Sequence, residues 1–274
     1  MIRKLLITIS MILGLISPIS LLAVTKSFQV DTGGTLTNGL LSYYQLEDVS
    51  DYWSVNTLTN VNAISFASSG IVSFAANGGT ANSNKYLKVD SDLGTAGAST
   101  SISCWLRINT DLGSGGQYNP IAIFDLGTVT QQTIFLYNNS GTKQVWFLRQ
   151  RSGVANDANI YNWDWSVDTW YHLVYTYDGT NVYGYINGTG VGTSTPASGN
   201  GTNNNNADRF SILAYDTGQA IGNYFSGLVD EAGVWNRALT QTEVTDLYNS
   251  GAGQTMITTG ETIIKFLMKI FWWW

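Results

Sequence analysis

Apolar and polar positions alternate along most of this chain, and short clusters of Gly, Asn and Asp interrupt the alternation. A period of two predicts half-buried β-strands. The pattern places strands at Leu40–Leu46, Gly70–Ala76, Tyr86–Asp90, Ser101–Ile108, Ile121–Leu126 and Thr133–Tyr137. Further strands follow at Gln144–Arg149, Trp170–Tyr177, Asn181–Ile186, Arg209–Ala214 and Gly227–Trp235. Asp178-Gly179 and Asn187-Gly188 are hairpin-type turns. In the last strand, Leu228, Ala232 and Val234 fall on one face and Val229 and Trp235 on the other, which predicts cover on both sides.

One segment has a helical period instead. Thr240 with Glu243 three residues later forms a capping box, and Leu239 is placed to staple onto Val244. Val244, Leu247 and Tyr248 make one apolar stripe, and Gly251 reads as the stop. A helix this short is marginal alone in water, so it must dock on the sheet around it. Regularly spaced short strands with a single C-terminal helix predict an all-β, two-sheet antiparallel sandwich.

The 274 residues divide into three parts. Met1–Ala23 reads as a secretory signal peptide, with Arg3 and Lys4 before the apolar run Leu5–Leu22; the alternative is an uncleaved N-terminal anchor. The sandwich is expected over Asn38–Gly253. Residues 254–274 form a tail that ends in IIKFLMKIFWWW. Ile263–Trp274 is too short to span a bilayer; an interfacial helix anchored by its aromatics at a membrane surface, a segment recognised by a partner and a spurious end to a reading frame are the readings it allows. The long polar stretches Asp111–Asn119, Ser152–Asp168 and Pro196–Asp208 read as loops, the places on a rigid scaffold where binding usually resides.

Charge narrows the partners. The chain has 13 Lys and Arg against 19 Asp and Glu, a net charge of −6. Loss of Arg3 and Lys4 with the signal leaves 11 against 19, or −8. No basic stripe offers itself to nucleic acid. Cys104 is the only cysteine, so no intramolecular disulfide forms; it shares a strand face with Ile102, Leu106 and Ile108 and reads as core. The expected location is secreted or on the cell surface.

Three ordered segments resemble a known family. Phe225–Asn249, FSGLVDEAGVWNRALTQTEVTDLYN, resembles the closing strand and helix of the laminin-G-like jelly roll of the concanavalin A-like lectin/glucanase superfamily. Trp170–Gly188, WYHLVYTYDGTNVYGYING, is similar to its central hairpin. Thr100–Ile108, TSISCWLRI, is similar to an earlier strand, and Gly39–Asp51 matches the opening strand and acidic loop more loosely. The resemblance implies a concanavalin A-like jelly roll. It implies little about function, because one fold hosts many.

The resemblance raises an enzyme and a structural cation. Sandwich glucanases carry two glutamates on one strand face, as E-x-D-x-x-E, and retaining cleavage needs such a pair about 5 Å apart. Here Glu47, Glu231, Glu243 and Glu261 are the only glutamates, and no two lie in one strand. His172 is the only histidine, so no mechanism with two imidazoles is available, and it reads as a structural residue within its strand. The family's opening and closing strands are neighbours that a cation often joins. By resemblance, Asp230 with Glu47, Asp48 and Asp51 would hold one structural calcium. The alternative is that Asp230 and Glu231 accept hydrogen bonds from loop backbone or pair with Arg237.

Tyr161, Trp163, Asp164 and Trp165 in the run YNWDW combine aromatic faces with polar groups, as a sugar site requires. The alternative is that they plug the edge of the sandwich. The expected function is a non-catalytic module that recognises a carbohydrate or a surface protein in adhesion. A divergent carbohydrate-active enzyme and a structural spacer are the competing readings.

Overall fold

A computed structural model describes residues 35–80, 83–95, 99–125, 130–151, 157–195, 208–217 and 220–256. In chain order the strands are β1 (Leu40–Tyr44), β2 (Thr59–Val61), β3 (Ser65–Ser69), β4 (Phe74–Asn77), β5 (Tyr86–Val89) and β6 (Thr100–Ile108). Next come β7 (Gln117–Asp125), β8 (Thr130–Asn139), β9 (Thr142–Arg151), β10 (Asp157–Asn162), β11 (Trp170–Tyr177) and β12 (Val182–Ile186). The last are β13 (Thr189–Ser194), β14 (Arg209–Ile212), β15 (Tyr215–Asp216), β16 (Ile221–Gly222) and β17 (Gly227–Trp235), followed by helix α1 (Gln241–Tyr248).

Two large antiparallel sheets form the sandwich. The first runs β13-β12-β11-β6-β17-β4-β3, with β1 also paired to β17; the second runs β10-β9-β8-β7-β14-β5-β2. Their inner faces share one core, built from Ile102, Cys104 and Leu106 on β6 and from Ile121, Ile134 and Phe147 opposite. Cys104 is a buried free thiol, and burial pushes its pKa up to about 12. Glycines let the sheets close together at one edge. A Cβ on Gly184 would enter the Phe147 ring, and one on Gly192 would lie 2.6 Å from Asn159 Oδ1.

The strand pattern holds for the central strands and fails at the edges. Ser152–Asp168 was expected to be loop, yet β10 occupies Asp157–Asn162 and pairs with β9 over its whole length. Its Asn-rich sequence hides an alternation that only the neighbouring strand makes favourable. The glycine- and threonine-rich β13 escapes for the same reason. β1 stops at Tyr44, because Leu46 turns to φ 59.

β17 departs from simple alternation. On one side it pairs β6; on the other, Leu228 and Val229 pair β4 and Ala232–Trp235 pair β1. The fork lies at Asp230 and Glu231, where the register shifts and Glu231 adopts φ 48. Such a bulge inserts one residue and reverses the facing beyond it. Val229, not Leu228, therefore joins Ala232 and Val234 in the inner core, while Trp235 faces outward.

The outer face of the first sheet is covered, as the two-sided β17 requires. Trp235, Tyr43 and Val174 pack there against Leu36, Leu239, Val244, Leu247 and Met256. The capping box is complete: Thr240 Oγ1 accepts from Glu243 N, and Glu243 Oε2 accepts from Thr240 N. The left-handed stop is Asn249 at φ 47, two residues before the expected Gly251. Gln254, Thr255 and Met256 are buried, so docked chain continues past Gly253. Met1–Ala23 and Ile263–Trp274 lie outside the described residues.

Candidate functional site

The second sheet leaves part of its outer face accessible. Ile134, Leu136, Val145 and Phe147 turn into the core, so the intervening residues of β8 and β9 turn outward. Phe135 stands opposite Trp146, and Trp146 stands opposite Ile160 on β10. The next row is Tyr137, Gln144 and Asn162. Phe135 and Trp146 pack at 5.0 Å, and Tyr137 meets Trp146 edge-on at 5.9 Å. All three rings are half-buried, and Ile160 is 46% exposed.

Amides accompany these rings. Trp146 Nε1 donates to Gln144 Oε1 at 3.1 Å, and Gln144 Nε2 donates to Asn162 Oδ1 at 2.9 Å. The chain of bonds fixes the indole and leaves the Asn162 amide at the rim. Partly exposed aromatic faces beside oriented amides suit a ligand with C–H faces and hydroxyls. Toward β14 the same face is closed, because Tyr215 of β15 packs edge-on over Phe124 at 5.0 Å.

The YNWDW residues divide. Tyr161 is 38% exposed and Asp164 is exposed, while Trp163 is half-buried and edge-on to Tyr171 at 4.6 Å. Trp165 is a plug in the core. Its Nε1 donates to Asp111 Oδ1 at 2.9 Å, and its carbonyl accepts from Lys143 Nζ at 2.9 Å. Burial works against the Asp111 carboxylate, but hydrogen bonds from Lys143 and Trp165 hold its pKa below the usual value. Trp165 thus offers no free face, and a sugar at this loop would meet Tyr161, Trp163 and Asp164.

Three of the four expected calcium ligands, Asp230, Asp51 and Asp48, accept backbone hydrogen bonds, and Glu47 lies near enough to Asp230 for its charge to act on it. Asp230 is fully buried; its Oδ2 accepts from Ile71 N at 2.8 Å and Val72 N at 3.3 Å, and its Oδ1 from Glu231 N at 3.0 Å. Burial nevertheless raises its pKa to about 7, helped by the Glu47 charge. Asp51 Oδ1 accepts from Tyr43 N, Trp53 N and Ser54 N, and Asp48 Oδ1 from Ser50 N. Asp51 Oδ2 is buried without a hydrogen-bond partner. Among the described residues, no three His, Cys, Asp or Glu side chains gather to hold a metal. Glu231 accepts from Tyr43 Oη and Thr255 Oγ1, and Arg237 pairs with Glu243 instead.

His172 is structural. Its Nε2 lies 2.8 Å from Ser103 Oγ, its ring packs at 5.1 Å from Trp105 and 6.2 Å from Tyr248, which stack on each other at 5.6 Å, and burial lowers its pKa to about 3.

A laminin-G family with the description "Concanavalin A-like lectin/glucanases superfamily" matches residues 78–245, more than half of the chain. The chain belongs to this superfamily. No curated protein matches the sequence. Among solved structures, the concanavalin A-like fold recurs in domain 4 of AbnA, a GH43 extracellular arabinanase from Geobacillus stearothermophilus, in complex with arabinotriose. That likeness has a TM-score of 0.52 at 22% identity, covering 76% of this chain and 97% of that one. The binding domain of botulinum neurotoxin DC in complex with SialylT matches at TM-score 0.58 and 14% identity, covering 79% and 52%. The same domain in complex with rat synaptotagmin II matches at TM-score 0.60 and 15% identity, covering 79% and 52%. The chain spans about half the length of those toxin domains.

The strand reading overlooked the Phe135–Tyr137–Trp146 face. The signal was present, since TIFLYN and QVWFLR carry large aromatics at the positions that should be polar on a solvent-facing strand.

Proposed function

We propose that this protein is a secreted or surface-displayed carbohydrate-binding module without catalysis of its own, and that the β8–β9–β10 face receives the glycan. The observation that carries the reading is Trp146, half-exposed and held by Gln144 between Phe135 and Ile160. A neutral sugar stacks its C–H face on such a ring while amides take its hydroxyls. Domain 4 of the arabinanase, with its arabinotriose, lends support at the level of the fold. Tyr161, Trp163 and Asp164 form a second, smaller contact at the same edge of the sheet.

Calcium belongs to the proposal in a narrower form. One ion at the opening loop would use Asp51 Oδ2 with Asp48, while Asp230 remains a backbone acceptor. A glycan array probed with the mature protein tests the main reading. Binding to a coherent set of oligosaccharides is expected, and an array that is blank while a surface protein is captured would replace the glycan with a protein partner.

A further inference from the structure

The amide row beside Trp146 has a direction, and a donor-only group sets it. An indole N–H donates and never accepts, so the oxygen of the Gln144 amide must face Trp146 Nε1. Gln144 Nε2 is thereby turned toward β10, where it donates to Asn162 Oδ1 at 2.9 Å. The Asn162 oxygen must then face Gln144. Each of these carbonyl oxygens already accepts a bond, whereas Gln144 keeps one free N–H and Asn162 keeps both of its own. Farther along the row, Tyr137 stands between Gln144 and Gln117. The Gln117 oxygen is engaged in the same way, accepting from Asn223 Nδ2 at 3.2 Å.

The row therefore presents N–H donors to solvent, and its carbonyls are turned to the protein. A sugar hydroxyl matches such donors incompletely, because it brings a hydrogen that needs an acceptor of its own. A carbonyl oxygen accepts and brings none. Charge narrows the choice further. Phe135, Tyr137, Gln144, Trp146, Ile160 and Asn162 are all uncharged. Lys143, the cation beside them in sequence, is committed to Asp111 at 2.7 Å and to the Trp165 carbonyl at 2.9 Å. A carboxylate or sulfate here would lose hydration without gaining a counter-charge. A neutral carbonyl has no such cost. Ile160, 46% exposed, precedes Asn162 by two residues on the same face of β10. The two stand about 7 Å apart along the strand, an apolar contact beside a donor.

We propose, resting on the carbohydrate reading of this same face, that the glycan it selects is neutral and carries an acetamido group. The sugar ring stacks on Trp146, the acetyl carbonyl accepts from the free N–H groups of Asn162 and Gln144, and the acetyl methyl packs on Ile160.

Sugars that differ only in the acetamido group test this. The methyl glycosides of N-acetylglucosamine and glucose form one pair, those of N-acetylgalactosamine and galactose a second, and triacetylchitotriose with cellotriose a third. In NMR titration, at least one acetamido member is expected to bind at least tenfold more tightly than its hydroxyl partner. Its acetyl methyl should receive strong saturation transfer from the protein. Asn162→Asp keeps an acceptor for Gln144 Nε2 and replaces the free N–H groups with an oxygen. The preference within that pair is expected to disappear in this variant, at a melting temperature near that of wild type. Equal binding by both members of every pair overturns the acetamido assignment and leaves the carbohydrate reading standing. A preference that survives in Asn162→Asp also overturns it. N-methylacetamide displacing the sugar as strongly as the matched glycoside would make the row a reader of amides in general and overturn the assignment to a sugar. If none of these sugars binds, a glycan array decides. Hits that bear an acetamido group support the proposal, hits that lack it overturn the proposal alone, and a blank array overturns the carbohydrate reading as well.

Discussion

The carboxylate of Asp230 accepts the backbone N–H of Ile71 at 2.8 Å across 159 positions of sequence. That bond, with a second from Val72, ties the last strand to the turn between β3 and β4 at the point where β17 forks. The turn is shaped around the acid. A Cβ on Gly70 would land on the Asp230 carboxylate and 2.6 Å from the Phe74 carbonyl oxygen. Asp230 thus closes the fold through backbone donors, whether or not a cation joins it.

This geometry sets a pH dependence. The Asp230 pKa is raised from 3.8 to about 7 by burial. A raised acid binds its proton more tightly in the folded than in the unfolded chain. Its contribution to stability is therefore full below about pH 4 and is lost as pH rises through 7, with a slope of at most about 1.4 kcal/mol per pH unit. Asp230→Asn is expected to flatten this segment of the stability–pH curve. Denaturant melts of both proteins from pH 4 to 8 check it, and parallel curves would contradict the assignment.

Glu243 works in the opposite direction. Although burial opposes ionisation, Arg237 and the Thr240 N–H hold its pKa down to about 2, from 4.5. A depressed acid contributes stability above its unfolded pKa and loses it as pH falls from about 4.5 toward 2. Glu243→Gln is expected to cost about 1–2 kcal/mol at neutral pH, through the cap and the ion pair together. The deficit against wild type should shrink below pH 4. A difference independent of pH would mean that packing, not charge, is responsible.

The capping box shows what sequence reasoning reads well. Thr240, Glu243, Leu239 and Val244 interact within a few residues, so local chemistry alone defines them. The central strands are equally legible, because both of their neighbours enforce the alternation of Ser101–Ile108 and Trp170–Tyr177. The Asp230 bulge was not, since the extra residue is needed only where β4 and β1 share one side of β17. β10 was hidden because Asn159 and Asn162 favour loops until β9 pairs with them. The candidate site was legible in part. YNWDW stood out as a cluster in sequence, whereas Phe135, Trp146 and Ile160 come from three strands and meet only through register.

The calcium expectation turns on the opening loop. Any species that binds only the folded state raises stability by RT ln(1 + [L]/Kd), about 2.7 kcal/mol at a hundredfold excess. Melting temperature is expected to rise on adding calcium to chelator-treated protein, and Asp51→Asn should remove the rise. Equal midpoints in calcium and in excess chelator would mean that these acids serve as backbone acceptors only.

Absence of hydrolysis is expected on β-glucans and arabinans. No two of the four glutamates share a strand, and Glu231 and Glu243 are each committed to hydrogen bonds. Release of reducing ends above that of a heat-denatured control, abolished by substitution of an Asp in this chain, would make the protein an enzyme.

Two tryptophans separate binding from stability. Trp146 is half-buried on the outer face, so Trp146→Ala leaves the two-sheet core intact and removes the ring on which a sugar would stack. A stacked aromatic contributes about 0.5–1.5 kcal/mol beyond its area. Including the area lost, affinity for an array-identified oligosaccharide is expected to fall at least tenfold, with a melting temperature within a few degrees of wild type. Trp165 is 1% exposed and anchored by Asp111 and Lys143. Trp165→Ala leaves a cavity in the core and is expected to cost about 3–5 kcal/mol of stability. Folded Trp165→Ala protein at low temperature should still bind. Calorimetric titration beside thermal melts of the two variants reads both effects. Retained affinity in Trp146→Ala with lost affinity in Trp163→Ala would move the glycan from the β8–β9–β10 face to the YNWDW loop.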